Sequence, residues 1–292
     1  MNFNNDNYTF DKLRCDLNYM ENNYGIKPYS IGKTVLGNDI LLFKVGKGPK
    51  NVFYNGTHHA LEWITSSLLM KFGFCLAKNS KNNFRMDGYD INDLLSKVTF
   101  HILPRLNVDG TELVMNNIKD QKLLEKLSEF NEGYDFDKKW QSNINGVDLN
   151  HNYDADFEKG NNDKPYYTRY RGTYPESEPE VKSVCDYVRN NNFDLCIAFH
   201  SQGEVIYYDY NGKVPKNSYE IVRVFAKESG YLPDKPVDAA SFGGFKDWFI
   251  DKYNKPAYTI EVGKGKNPLP FSDFESIYEK VVKIMLLGGY LA

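Results

Sequence analysis

Cysteine is scarce in this 292-residue chain, limited to Cys15, Cys75, Cys185 and Cys196, and no two form a CxxC pair. That argues against a cysteine-based zinc site, and three of the four fall within apolar patterns that suit reduced core cysteines of a cytosolic protein. No apolar run approaches the ~20 residues of a membrane span. The first residues, Met1 to Asp6, have neither a basic start nor an apolar core. They are not read as a secretory signal, so a cytoplasmic location is expected unless a signal has been removed. An excess of one charge sign is also missing: 36 Lys and Arg face 39 Asp and Glu, for a net charge of -3. A nucleic-acid binder held by bulk electrostatics is not expected. Repeats, linkers and low-complexity blocks are absent, and residues 1–292 are read as one domain. Aromatics are plentiful, with 22 Tyr and 19 Phe, which suits a globular domain with an amphipathic groove.

The pattern along the chain alternates strands with helices. Thr9 is placed to cap a helix over 10–22. Strands over 29–35 and 40–45 flank the turn Leu36-Gly37-Asn38-Asp39, as in a hairpin. A short strand over 52–55 delivers Gly56-Thr57-His58-His59, and a helix follows from Glu62 to about Lys78. Further strands are expected over 98–103, 195–199, 205–208 and 257–262. Helices are expected over 218–229, 245–252 and 272–288. Ser177-Glu178-Pro179-Glu180 reads as a capping box with Pro in the first turn, opening a helix to about Asn190. The polar stretch 115–165 reads as extended loop with some helix. The fold class is therefore α/β: a single domain with a mixed parallel and antiparallel twisted sheet and helices on both faces. Ligands of such sheets sit at the carboxyl ends of strands, where His59, His200 and Glu261 fall.

His59 and Glu62 are three apart at a helix start, and residues at i and i+3 share a helix face. An imidazole and a carboxylate from one rigid element can then reach one ion. A tetrahedral Zn²⁺ needs a third protein ligand and keeps one position open for water or substrate. His200, at the end of the buried run Ile197-Ala198-Phe199, supplies that third group. Taken singly, His200 reads as a core histidine and Glu62 as a first-turn glutamate favoured by the helix dipole. His58 and His101 read as structural.

Several ordered motifs resemble the zinc metallocarboxypeptidase family. They are Gly56-Thr57-His58-His59-Ala60-Leu61-Glu62-Trp63, Asn107-Val108-Asp109-Gly110, Gly146-Val147-Asp148-Leu149-Asn150-His151-Asn152, Phe199-His200-Ser201 and Thr259-Ile260-Glu261-Val262. Each is weak alone; the five in order are strong. Tyr174-Pro175-Glu176-Ser177-Glu178-Pro179-Glu180, His200-Ser201-Gln202-Gly203-Glu204 and Glu261 to Pro270 further resemble the bacterial γ-D-glutamyl-(L)-meso-diamino acid peptidase branch.

The resemblance implies one Zn²⁺ per chain held by His59, Glu62 and His200, with Glu261 as general base and Asp148 orienting His59. It implies hydrolysis of the γ-D-glutamyl to diaminopimelate bond of peptidoglycan stem peptides, with a muropeptide or other small peptide as partner. Small soluble fragments are expected over intact wall. An ordinary metallocarboxypeptidase and an inactive peptide-binding module are the competing readings.

The chain also departs from the family pattern. Where carboxypeptidases hold the terminal carboxylate with Asn-Arg, it has Asn150-His151, and neutral imidazole is a poor carboxylate clamp beside a guanidinium fork. No arginine falls near Lys139-Trp140-Gln141-Ser142, where the family stabilises the oxyanion; Gln141 or Lys139 could donate instead. No tyrosine falls near Asp238-Ala239-Ala240, and Leu61 replaces another substrate-binding arginine. Lys246 falls where side-chain specificity is set and is expected to meet the distal carboxylate of diaminopimelate, against the alternative of a solvated helix lysine. Arg169 and Arg171 are weaker candidates for a substrate carboxylate.

Overall fold

A computed structural model gives the arrangement and describes every residue except 2, 5, 6, 161 and 236–241. Its strands are β1 (Tyr29–Lys33), β2 (Asp39–Gly46), β3 (Lys50–Gly56), β4 (Arg85–Met86), β5 (Tyr89–Asp90), β6 (Val98–Leu103), β7 (Leu195–His200), β8 (Val205–Tyr207), β9 (Leu232–Asp234) and β10 (Ala257–Glu261). One sheet carries the order β1-β2-β6-β3-β7-β10-β8-β9, and β4-β5 forms a separate ribbon. Its centre, β6-β3-β7-β10, is parallel, while β1-β2, β2-β6 and β10-β8 are antiparallel. Parallel strands covered on both faces read as continuous apolar runs, as in Leu195-Cys196-Ile197-Ala198-Phe199, which is buried throughout.

The helices are α1 (Phe10–Tyr24), α2 (Ile64–Asn82), α3 (Ile91–Lys97), α4 (Val108–Val114), α5 (Gln121–Phe130), α6 (Phe136–Lys139), α7 (Pro179–Arg189), α8 (Ser218–Ser229), α9 (Phe245–Tyr253) and α10 (Phe274–Leu291). They make a two-sided core. Val52, Tyr54, Ile197 and Phe199 face α2 and α10, and Phe53, Cys196 and Ala198 face α7 and α9. The period of two puts His200 and Glu261 on the α9 side, in line with Cys196, Ala198, Ala257 and Thr259. In the parallel register Glu261 lies beside His200, at the carboxyl ends of both strands.

Three details differ from the sequence reading. The stretch 60–82 is long and apolar enough, by length and composition, to cross a membrane; 83% of its most apolar window is buried, because it is the helix that fills the core beside β3. All four cysteines are free, but Cys15 is exposed and only Cys185 and Cys196 are buried. Ser177 does not cap α7: its hydroxyl donates to Glu178, while Asn152, from a distant segment, accepts from the Glu178 N–H at 3.1 Å.

The start of α7 also buries Glu180. Its carboxylate accepts from the Val35 N–H at 3.2 Å and the Asn143 amide at 3.3 Å. Burial, and then the nearby Asp109 and Glu178 carboxylates, push it from 4.5 up to about 7. A carboxyl raised in the fold contributes stability that is complete below its unfolded value and lost as pH rises through its folded value. Between pH 4.5 and 7 this group is therefore expected to remove on the order of 3 kcal/mol. Glu180→Gln should flatten the fall in urea midpoint between pH 5 and 8; an unchanged slope would show that Glu180 is not its source.

Candidate active site

The chain leaves β3 through Thr57, whose backbone is left-handed (φ 58°) and whose hydroxyl is fixed 2.8 Å from the hydroxyls of Thr65 and Ser66. This bend delivers His58 and His59. His59 and Glu62 do not share an α-helical face. His59 is extended, Ala60–Glu62 is a single 3-10 turn, and the Glu62 N–H donates to the His59 carbonyl at 3.1 Å. The α-helix begins only at Ile64. The tight turn still brings both side chains to one point.

His59 Nδ1 lies 2.9 Å from Glu62 Oε1, and His200 Nδ1 lies 3.1 Å from Glu62 Oε2. The two Nδ1 atoms are 3.3 Å apart. One donor atom from each of the three residues falls within 4.8 Å of the others, so the set can hold one metal ion. Asp148 Oδ1 sits 3.2 Å from His59 Nε2, which places the proton there and turns the Nδ1 lone pair inward. Two imidazoles and a carboxylate converging this way match the nitrogen and oxygen donors of zinc.

The local field favours positive charge. Burial opposes ionisation of Asp148, but the His59 and His151 imidazoles and the Arg169 N–H outweigh it and hold the carboxyl well below the usual range. Burial likewise opposes ionisation of Glu62, and His59 and His200 overcome it. His59 is raised, because the Glu62 and Asp148 carboxylates outweigh its burial. Glu261 is raised by burial and by the Glu62 carboxylate beside it. These carboxylates together favour a cation at the point where they converge.

Two cavities meet at Glu261. The smaller, of about 240 Å³, is lined by His59, Asp148, Asn150, His151, Lys246 and Asp247, among others. The larger, of about 830 Å³, is lined by Leu61, Ser201, Gln202, Lys266 and Asn267, among others. Gln141, Thr168, Arg169, Tyr207 and Glu261 line both. A third cavity of about 760 Å³ lies far from these groups, around Tyr24, Ala77 and Leu95.

Lys246 is not a solvated lysine. It is 3% exposed, and its ammonium donates to the Asp209 carbonyl at 2.5 Å and to the Asp247 carboxylate. Its charge is thus matched by Asp247, whose carboxyl burial pushes up to about 6 against the pull of Lys246. Asn150 accepts from the Phe245 N–H at 3.1 Å, which directs its amide hydrogens elsewhere. His151 Nδ1 donates to the Phe242 carbonyl at 2.8 Å, so its other nitrogen carries a lone pair in the neutral ring. Gly243 (φ 71°) permits this approach, since a Cβ there would lie 2.3 Å from the His151 carbonyl oxygen. Arg171 lines neither cavity. Its guanidinium packs over Phe157, donates to the Phe157 carbonyl at 3.1 Å and lies 3.6 Å from both Glu158 and Asp163. These partners draw it away from the cleft. The segment Asp238-Ala239-Ala240 lies outside the described residues.

Gln141 and Lys139 separate clearly. Lys139 stacks over the Tyr134 ring at 3.4 Å. Gln141 Oε1 accepts from the Thr168 hydroxyl at 2.6 Å, which leaves its NH₂ for the cleft. His58, as expected, is structural, buried against Tyr153 at 2.9 Å, and His101 pairs with Tyr187 and Asn51.

Sequence reasoning did not assign Asn267, Tyr207, Thr168 or Asn107. Asn267 donates to Glu62 Oε1 at 3.3 Å and to the Ser201 carbonyl at 2.7 Å. Asn107 holds the carbonyls of His58, Gln141 and Ser142 at 3.0, 3.2 and 3.1 Å.

A family model for zinc carboxypeptidase matches residues 17–283. The chain belongs to the zinc carboxypeptidase family. Among curated relatives of this zinc carboxypeptidase, γ-D-glutamyl-L-diamino acid endopeptidase 1 of Lysinibacillus sphaericus is 35% identical, with 98% of this chain and 73% of the relative covered. Carboxypeptidase B of Bos taurus is 30% identical, covering 88% and 63%. Bovine thrombin-activatable fibrinolysis inhibitor, solved with a tick carboxypeptidase inhibitor, shares the fold with a TM-score of 0.79 at 20% identity, covering 99% and 98% of the two chains. The zinc carboxypeptidase fold and the convergent His59, Glu62 and His200 together make this chain a zinc metallopeptidase.

Proposed function

We propose that this zinc peptidase hydrolyses the γ-D-glutamyl to meso-diaminopimelate bond of peptidoglycan stem peptides. The observation that carries the proposal is the 35% identity to a γ-D-glutamyl-L-diamino acid endopeptidase across 98% of the chain. The cleft chemistry agrees with it. His59, Glu62 and His200 would hold the zinc, which supplies Lewis acidity to the scissile carbonyl and acidifies water. Glu261 takes the proton of the attacking water and hands it to the leaving amine. Gln141 donates to the developing oxyanion. Asp148 keeps His59 in the ligating tautomer.

The leaving amino acid lies in the smaller cavity. The Lys246–Asp247 pair lines it and offers both charge signs, which suits the ammonium and carboxylate at the far end of diaminopimelate. His151, with Nδ1 committed to Phe242, stands where a carboxypeptidase places a guanidinium, so the cleft is not specialised for a terminal carboxylate as an ordinary carboxypeptidase's is.

Mass spectrometry of L-Ala-γ-D-Glu-meso-diaminopimelate digests tests this reading. The expected result is release of L-Ala-D-Glu that a chelator abolishes. An intact tripeptide with zinc bound, alongside cleavage of ordinary peptides at their free C-termini, would overturn it.

A further inference from the structure

We infer that the larger cavity contains an anion subsite, formed by Arg169 and Lys266, for the free α-carboxylate of a γ-linked acidic residue. The inference rests on the γ-D-glutamyl reading above and names the residues that would distinguish a γ-linkage from an α-linkage.

The leaving group is assigned to the smaller cavity, so the acyl group lies in the larger one. Four cations line that cavity, Lys138, Lys139, Arg169 and Lys266, and the only carboxylate among its lining residues is Glu261. Two of the cations are already engaged. Lys138 lies 2.8 Å from Asp137, and Lys139 lies over Tyr134 and 3.8 Å from Glu132. On the loop after β10, Lys264 lies 3.2 Å from Glu204. Among the described residues, Arg169 and Lys266 have no acidic partner, and both line the cavity.

Both side chains are exposed, and the backbone that carries each is held in place. Arg169 has a left-handed backbone (φ 60°), which residues with a side chain avoid unless their surroundings impose it. Asp148 imposes it, accepting from the Arg169 N–H at 2.9 Å. Arg169 is thereby held on the wall shared by the two cavities, which Gln141 and Glu261 also line. Lys266 follows Gly265, whose N–H donates to the Gln202 side chain at 3.3 Å, and precedes Asn267, which is bonded to Glu62. Both cations are thus tied through backbone or neighbour to the groups around Glu62.

A γ-linked glutamyl residue carries a free α-carboxylate, separated from the scissile carbonyl by two methylenes and the α-carbon. An α-linked residue has its α-carboxyl consumed in the peptide bond. A subsite of unpaired cations in the cavity assigned to the acyl group therefore favours the first, and a charge-assisted bond to carboxylate is lost when that group becomes an amide.

The test compares L-Ala-γ-D-Glu-meso-diaminopimelate with its counterpart in which the glutamyl α-carboxylate is a carboxamide. The zinc-loaded enzyme is expected to prefer the acid by about 10-fold in kcat/KM. The preference should collapse toward one in Arg169→Gly, which keeps the left-handed backbone, combined with Lys266→Met. Arg169→Lys should retain part of it. Equal cleavage of the two substrates by the unaltered enzyme would overturn the subsite and leave the proposed function standing. A preference that survives in the double variant would overturn the assignment to these two residues. Cleavage of neither substrate would remove the proposed function and this inference with it.

Discussion

Glu261→Gln is expected to lower turnover by about 10²-fold or more while zinc content stays at one ion per chain. The substitution keeps the shape of the side chain and removes its capacity to accept and return a proton. Glu261 ends β10, beside His200 in the parallel register, and lines both cavities. Among the described residues its carboxylate has no hydrogen-bond partner, unlike Asp148 and Glu62, whose oxygens are committed to His59, His200, Ser201 and Arg169. An uncommitted carboxylate next to the converging ligands is free to carry a proton between water and amine. Steady-state rates, with zinc measured by elemental mass spectrometry, decide the matter. A variant within about 3-fold of the parent would rule out the general-base role, and loss of zinc along with activity would reassign Glu261 to holding the ion.

Stripping zinc is expected to have the second-largest effect, on stability as well as activity. A ligand at 1,000 times its dissociation constant stabilises the folded state by about 4 kcal/mol. At about 2–4 °C per kcal/mol for a domain of this size, Tm should fall on the order of 10 °C on chelation and recover when zinc is returned. The physical source is the cluster itself. Glu62, Asp148 and Glu261 are brought together around two imidazoles, and without a cation that charge is balanced only by protons on His59 or Glu261. His200→Ala should remove most of the zinc-dependent part of Tm. A Tm indifferent to chelator, with activity intact, would exclude the His59, Glu62 and His200 site as the source of catalysis.

Much of this was legible in the chain because strand ends announce themselves. The apolar run before His200 and the short strand before Glu261, both buried on the two faces, place these residues by local pattern alone. The spacing of His59 and Glu62 pointed to the same ion, though for a partly wrong reason. A separation of three closes a 3-10 turn as readily as it spans an α-helical face, and the turn is what forms. What stayed hidden depends on long-range contact. Asn267 reaches Glu62 across 205 residues of chain, and no local pattern carries that information. The capping-box motif at Ser177 was misleading for the same reason: the helix is entered one residue later, at Glu178, whose N–H is taken by Asn152 from a distant segment. The pairing of Lys246 with Asp247 was adjacent in sequence, yet only burial makes it an ion pair rather than two surface charges.

Asp148 has one oxygen on His59 and the other on the Arg169 N–H. One carboxylate thus spans the ligand sphere and the wall of the substrate cleft. Whatever fixes the imidazole also fixes the left-handed bend that presents the guanidinium. Coupling of this kind is reciprocal by thermodynamic necessity. Any gain in anion affinity at Arg169 on metal binding would be matched by an equal gain in metal affinity when the anion subsite is occupied. Retention of the metal and recognition of the substrate are then expressions of one interaction energy.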